Sequence, residues 1–349
     1  MNDVVEDTAS QVASAGKGRP HLPAGSGKIL GVLGLFLVTC FATSQLTPYF
    51  LTAYNIENLL RRTSLFGVIS IGAAFVIMVG GIDLSIGSVI ALVGCLLPWL
   101  LIQNGVDPWI AVPVVLALGL AIGVFQGTLV QRMRLQPFIV TLCGLLLYRG
   151  IARGITSDRT VGFQNEFKGL RSFVKHEFEI PGVEGFAIPS TFVILLVVAT
   201  LAILFLRTTV WGRHMLATGR NESAARHGGI RTGRLIILAY VICAGLAGFG
   251  GFLFILDVGS AQPADFGNFY ELYAIAAAVL GGCSLRGGEG SIIGVLVGAA
   301  LMQVLQNAIT LIDWIPDTIQ YAVIGGVILA GAMTDEVLRR AIGRRRAAR

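Results

Sequence analysis

About ten stretches of roughly 20 mostly apolar residues run through this chain, each long enough to cross a lipid bilayer as a helix. They fall near residues 29–46, 64–82, 84–102, 109–130, 137–155, 189–206, 235–255, 270–280, 291–312 and 315–333. Inside a bilayer every backbone N–H and C=O must be satisfied within the protein, so such stretches become helices. A soluble chain carries about 25% charged residues. This one carries 13%, against 54% apolar residues, more apolar surface than a soluble core hides. An ordinary soluble enzyme is excluded. The expected fold is an all-α polytopic membrane protein of about ten transmembrane helices. Residues 1–28 are polar and rich in Ser, Ala and Gly, which reads as a disordered cytoplasmic tail. They lack the order of a signal peptide, so the first span is expected to serve as an uncleaved insertion signal. Residues 29–333 form the membrane domain and 334–349 a basic cytoplasmic tail.

The net charge of +6 is an orientation signal and not a nucleic-acid signal, because Arg and Lys in short loops mark the cytoplasmic side. Lys17, Arg19 and Lys28 precede the first span, and Arg132 and Arg134 lie between the fourth and fifth. The segment 207–234 carries Arg207, Arg213, Arg220, Arg226, Arg231 and Arg234, and the C-terminus is Arg-rich. The opposite loops hold Asp107, Asp257, Asp265, Asp313 and Asp317, while the loop 156–188 mixes both signs. Ten spans with both termini cytoplasmic fit this spacing. Arg61 and Arg62 disagree, since they fall on the outer side. Either they lie on a short interfacial helix starting near Tyr54 with their stems snorkelling, or the second span is misplaced.

The apolar run from 64 to 102 is interrupted by Gly80-Gly81-Ile82-Asp83-Leu84-Ser85-Ile86-Gly87-Ser88. Paired glycines break the helix, and Asp83 or Ser85 can cap the next one. Capping alone accounts for those residue types, although an ionisable residue at membrane depth is also a functional candidate. A related arrangement recurs where Gly281-Gly282 leads to Glu289-Gly290-Ser291. Gln126-Gly127 precedes Pro137 much as Gln306-Asn307 precedes Pro316. Two pseudo-symmetric halves with broken helices near 80–87 and 281–290 are a transporter signature, with the path near the repeat interface. Gly80, Gly81, Asp83, Ser85, Gln126, Gly281, Gly282, Gln306 and Asn307 are the candidate path or gate residues. The three amide side chains serve equally well as bonds between helices.

Glycines 119, 123 and 127, and again 290, 294 and 298, form ladders of small residues, joined by Ala244 and Gly248. Such ladders allow close helix packing. The five cysteines lie in or beside apolar spans without a Cys-x-x-Cys and read as small hydrophobes. In the stretch from Trp211 to Ile230, Asn221 or Ser223 can cap a short helix that Gly228 or Gly229 would end. Such a helix suits docking into a partner's groove, or the stretch is a basic loop held by anionic membrane lipid. Gly25-Ser26-Gly27-Lys28 imitates a nucleotide-binding loop but lacks its hydroxyl residue and its first glycine.

The run Gly80–Ser88 resembles the hallmark of the permease subunits of ribose/xylose-type ABC importers. Gly212, Arg213, Ala217, Gly219, Asn221, Ala224, Ala225, Gly229 and Ile230 are similar to that family's cytoplasmic coupling segment. The stretch 279–298 and the pair Ile188-Pro189 also resemble it, so the likeness covers about 45–332. Gln126-Gly127 departs from the family's Asn-Gly, which puts a polar channel contact in doubt. The resemblance implies a homodimeric permease in a bacterial inner membrane and not an enzyme. It implies a cytoplasmic ABC ATPase partner, coupled through the segment above together with Glu222. It also implies a periplasmic sugar-binding protein, and no cofactor in this chain, ATP and Mg belonging to the ATPase. The expected cargo is ribose or a similar monosaccharide. Inositol, a signalling sugar or a nucleoside remain alternatives, as does an ion-coupled secondary transporter.

Overall fold

The computed structural model describes residues 26–179, 185–312, 316, 319–326, 329–330 and 333. Among them, eight helices are long and apolar enough to cross a membrane. They are α1 (Ser26–Leu46), α2 (Ala53–Met78), α3 (Ile86–Pro98, extended by a π-helical turn Trp99–Gln103), α4 (Pro108–Arg132) and α5 (Pro137–Thr156). After a short outer helix α6 (Lys168–Lys175) come α7 (Ser190–Thr208), the short pair α8 (Val210–Arg220) and α9 (Glu222–His227), and α10 (Thr232–Val258). The shorter apolar α11 (Tyr270–Leu280) and the long α12 (Ile292–Leu311) follow. The all-α expectation holds. The only strands among the described residues are short pairs, Val161–Gly162 with Ser260–Ala261 and Glu177–Glu179 with Ala187–Pro189. The expected tail at 1–28 lies outside the described residues except for its last three, which already belong to α1. Of the tenth span, 320–326 is helical and the rest lies largely outside the described residues, as does the basic tail.

Local chemistry explains the starts. The Thr52 and Asp107 side chains accept from backbone N–H groups of α2 and α4, and Pro108 and Pro137 open α4 and α5. A proline at the first helical position removes an N–H that had no partner there. The helices then sort into an inner and an outer set. In α2 78% of the most apolar window is buried, and in α3 72%, against 28% in each of α4, α5 and α7. The outer set shows residues such as Phe125, Leu146 and Leu201 to the surroundings, as hydrocarbon-facing helices do.

The glycine ladders are packing devices. A Cβ on Gly123 of α4 would lie 2.6 Å from the Cα of Val241 on α10, and one on Gly119 would lie 3.2 Å from the Cα of Gly248. Gly294 and Gly298 of α12 bring the same intimacy to Gly281 and Ala277 at the end of α11. Arg61 and Arg62 sit within one continuous α2 rather than on a separate short helix. Arg61 pairs with Glu177 and, at 3.4 Å, with Asp257. The arginine therefore lies among the acids of the expected outer face, and the second helix simply begins earlier than its apolar part.

Candidate functional site

Both helix breaks end their first helix in the same way. Gly80 (φ +86°) follows α2, with Gly81 N–H bonded to Val76 O and Gly80 N–H to Ile77 O. Gly282 (φ +95°) follows α11, with Cys283 N–H bonded to Ala278 O and Gly282 N–H to Val279 O. This is the Schellman ending, in which a left-handed residue closes the last turn. It sets the correspondence as Gly80 with Gly282, one residue away from the pairing read off the two Gly-Gly steps. The Gly-Ser steps also differ, since Gly87-Ser88 lies inside α3 whereas Ser291 caps α12. The second connection carries two more left-handed glycines, Gly287 and Gly288. Through them it reaches the first break, where Gly288 N–H donates to Met78 O at 2.8 Å, the last carbonyl of α2. Gly219, near the end of α8, packs directly on that bond: a Cβ there would overlap Met78 O and lie 2.5 Å from Gly288 N. One contact thus joins both breaks to the segment 207–234.

A polar cluster fills the first break. Asp83 Oδ1 accepts from Ser85 N–H at 2.8 Å and Ser85 Oγ at 2.6 Å. Gln126 of α4 donates from Nε2 to Ser85 Oγ at 2.8 Å. Asp83 thus ties down the start of α3, and Ser85 makes no capping bond of its own. Gly144 of α5 leaves the room: a Cβ there would lie 2.6 Å from Gln126 Nε2. Asp83, Gln126 and Tyr240 are all buried, and Asp83 Oδ2, Gln126 Oε1 and Tyr240 OH have no hydrogen-bond partner among the described residues. Each such atom costs about 1–3 kcal/mol when left unmet in a dry interior. Tyr240, Gly80 and Gly81 lie on the wall of a cavity of about 690 Å3 that also borders Arg132, Arg134, Glu222 and Arg226. The basic loop after α4 and the segment 207–234 therefore share one face, as their charges anticipated.

Within that segment, Asn221 caps α9 by accepting from Ala224 N–H at 2.9 Å, one of the two capping residues anticipated. Glu222 accepts from Arg226 and from Thr232, which fixes α9 on the start of α10. Gly228 ends the helix and Gly229 is left-handed (φ +82°). Arg213, Ala217, Asn221, Ala224 and Gly229 are exposed, and Ser223 and His227 stand beside them. Gly212 and Ala225 are buried against their own chain, so neither offers a surface. They hold the segment on the bundle, and the free face of α9 belongs to Ser223, Ala224 and His227.

Asn307 does not stand alone. Its Nδ2 donates to Asn55 Oδ1 at 2.7 Å and its Oδ1 accepts from Asn55 Nδ2 at 3.1 Å, which bolts α12 to α2. This is the helix-bonding alternative of the two readings. Replacing Asn307 alone by Leu should lower stability by about 1–3 kcal/mol, because Oδ1 of buried Asn55 is then left unmet while its Nδ2 keeps only Phe50 O. The double change Asn55→Leu/Asn307→Leu also strips Phe50 O of its Asn55 donor and should cost more than that single one, and thermal melting in detergent checks the order. Gln306 is buried on the same helix, and Gln303 one turn earlier has both amide atoms unpartnered among the described residues.

On the opposite face, Glu57 of α2 accepts from Ala187 N–H at 2.6 Å, and Ser190 Oγ donates to Phe173 O and Val174 O. Together with Arg61–Glu177 these bonds strap the 157–189 excursion over α2. Hydrogen bonds from Arg153 hold the exposed Asp158 carboxyl below the usual carboxylate range. That contribution is present above the ordinary carboxylate pKa and fades as pH falls through the lowered one.

Several residues of this architecture escaped the sequence reading: Tyr240, Arg149, Glu271 and Gln303. Arg149 and Glu271 carried a usable signal, since an ionisable residue within an apolar span marks a constraint. Tyr240 and Gln303 carried none.

The family model described as branched-chain amino acid transport system / permease component matches residues 55–332. The ribose import permease protein of Escherichia coli is 36% identical over 302 residues, covering 86% of this chain and 91% of that protein. The xylose transport system permease protein of Haemophilus influenzae is 30% identical, covering 87% and 94%. An inner membrane ABC transporter permease protein of Escherichia coli is 33% identical, covering 81% and 85%. No solved structure matches the chain.

Proposed function

The chain belongs to the branched-chain amino acid transport system / permease component family, and on that premise we propose that it forms the path for a monosaccharide in an ATP-driven importer. It is a transport subunit and not an enzyme, and membership implies an ATPase and a periplasmic binding protein as partners. The relatives named for ribose and xylose support a pentose or similar sugar as the cargo. Two copies pair in the inner membrane among its lipids, both termini are cytoplasmic, and ATP with its Mg is bound by the partner. An ion-coupled secondary transporter is not favoured, since the similar proteins carry permease and ABC transporter names.

The observation that carries the mechanism is the seat of Gly219 on the bond between Met78 O and Gly288 N–H. Closure of the ATPase pushes on α9. The push passes through α8 to the junction of both breaks, and the segments at 80–87 and 281–290 shift together. Arg213, Ala217, Asn221 and Ala224 meet the ATPase, Gly212 and Ala225 keep the segment seated, and Glu222 locks α9 to α10. Asp83, Ser85 and Gln126 stand at the path, flanked by the hinges Gly80, Gly81, Gly281 and Gly282. Gln306 and Asn307 lie toward the other end of α2 from the breaks, where Asn307 serves packing against Asn55.

The test is ribose and xylose uptake in proteoliposomes holding the permease, its ATPase and its binding protein. Uptake should require ATP and all three components. Ala224→Glu places a charge on the exposed face of α9 and should cut ATP-driven uptake about tenfold or more, as loss of a central docking contact does, without lowering the melting temperature. Wild-type uptake by this variant sinks the docking role, and uptake without ATPase sinks the importer reading.

A further inference from the structure

We propose that the cleft between the starts of α8 and α10 holds the phosphate of an anionic glycerophospholipid, from the leaflet on the side of the segment 207–234. None of its side chains stands at the path or among the ATPase contacts above, so the site is additional to both. The cleft is a cavity of about 310 Å3. Val210, Trp211 and Leu235 line it together with His214, Arg231 and Arg234, and no Asp or Glu does. Neither guanidinium forms an ion pair or hydrogen bond among the described residues. Glu222, the one acid in 207–234, is engaged by Arg226 and Thr232 and borders the other, larger cavity. Both arginines sit at the N-terminal end of α10, where the helix dipole disfavours cations. Arg231 gives that helix no capping bond. An anion in the cleft meets both unpaired charges and the dipole at once.

The apolar side chains select among anions. Val193, Val197, Leu201 and Leu204 are exposed at helical spacing on α7, a stripe that faces hydrocarbon. That helix ends at Thr208, and Val210 and Trp211 are the next exposed apolar side chains in the chain. Tryptophan favours the edge of the membrane, where its ring meets the headgroups. A stripe for acyl chains therefore leads to an indole and then to two guanidiniums, whose planar forks suit a phosphate. A free phosphate leaves the apolar lining unused. A zwitterionic headgroup brings its own cation, which the arginines repel.

The test is native mass spectrometry on the delipidated permease in detergent, alone and with its ATPase, titrated with phosphatidylglycerol, phosphatidylcholine or inorganic phosphate. Phosphatidylglycerol should bind about tenfold more tightly than phosphatidylcholine or better, and inorganic phosphate should not displace it. Arg231→Gln/Arg234→Gln should weaken phosphatidylglycerol about 25-fold, or about fivefold for each arginine. Arg132→Gln/Arg134→Gln removes the same charge from the larger cavity and should leave that binding nearly unchanged. All four side chains are exposed, so both variants should melt with wild type when lipid is absent. Equal binding of the two lipids, or equal losses in the two double variants, reduces Arg231 and Arg234 to ordinary snorkelling charges and overturns the site. Displacement by inorganic phosphate assigns the cleft to a free anion. Loss of the lipid on adding the ATPase assigns it to that partner, and loss in the permease dimer but not the monomer assigns it to a second copy. Each of these three results overturns the lipid site as well.

Discussion

Gly219→Ala should cripple the protein, and Gly219→Val should abolish uptake altogether. A Cβ at this position would overlap Met78 O and stand 2.5 Å from Gly288 N. Both neighbours are backbone, so no side chain can turn away. The methyl has to push α8 off the junction or break the 2.8 Å Gly288–Met78 bond. Overpacking of this kind costs about 1–3 kcal/mol, and an unpaired buried carbonyl adds about 1–3 kcal/mol. The expected result for Gly219→Ala is a lower melting temperature in detergent and at least a ~100-fold loss of ATP-driven uptake, since ~2.7 kcal/mol corresponds to that factor. Gly228→Ala is the control. Its nearest non-neighbouring atom would be 3.4 Å from the new Cβ, and its φ of −75° suits any residue. Normal melting and uptake in Gly219→Ala would show that the segment 207–234 does not work through this junction.

The junction also marks where sequence reading stops. The breaks were legible because glycine pairs flanked by a polar residue interrupt an apolar run. The cap at Asn221 and the stop at Gly228 were legible for the same local reason. The contact at Gly219 joins residues from three parts of the chain, and close backbone approach leaves no trace except a glycine among 45. The ladder at 119–127 was visible as a small face, but nothing local says that α10 fills it. Ala225 shows the opposite failure. It lies in the stretch that resembles a coupling segment, yet the turn of α9 sends it inward and Ala224 outward. A helix of six residues has too little periodicity to show which face is free. Tyr240 is the hardest case, since a tyrosine in an apolar span reads as packing until its hydroxyl is found unmet.

Arg149→Met should destabilise the protein more than any exposed substitution. Arg149 lies within α5, and its Nη1 sits 3.1, 3.2 and 2.7 Å from the carbonyl oxygens of Pro263, Ala264 and Phe266. Those carbonyls belong to the connection that enters α11, and they have no regular helix or strand to satisfy them. The same connection presses on the first turn of α3, where a Cβ on Gly267 would lie 3.3 Å from the Gly87 carbonyl carbon. Glu271, buried on α11 with Oε2 unpartnered among the described residues, also feels the Arg149 charge. Methionine keeps the apolar stem and removes the donors and the charge together. A hydrogen bond from a charged donor is worth about 1.5–3 kcal/mol, and here three carbonyls lose theirs together. Thermal melting should record that loss, and limited proteolysis should open first between 259 and 269. The double variant Arg149→Met/Glu271→Gln should recover part of it, because a neutral amide no longer needs the cation while the three carbonyls stay unmet. Arg149→Lys should fall between wild type and Met, since an ammonium keeps the charge but not the planar fork. If Arg149→Met melts with wild type, the connection is held by packing alone. The first turn of α3 would then owe its position to the Gly87–Gly267 approach and not to charge.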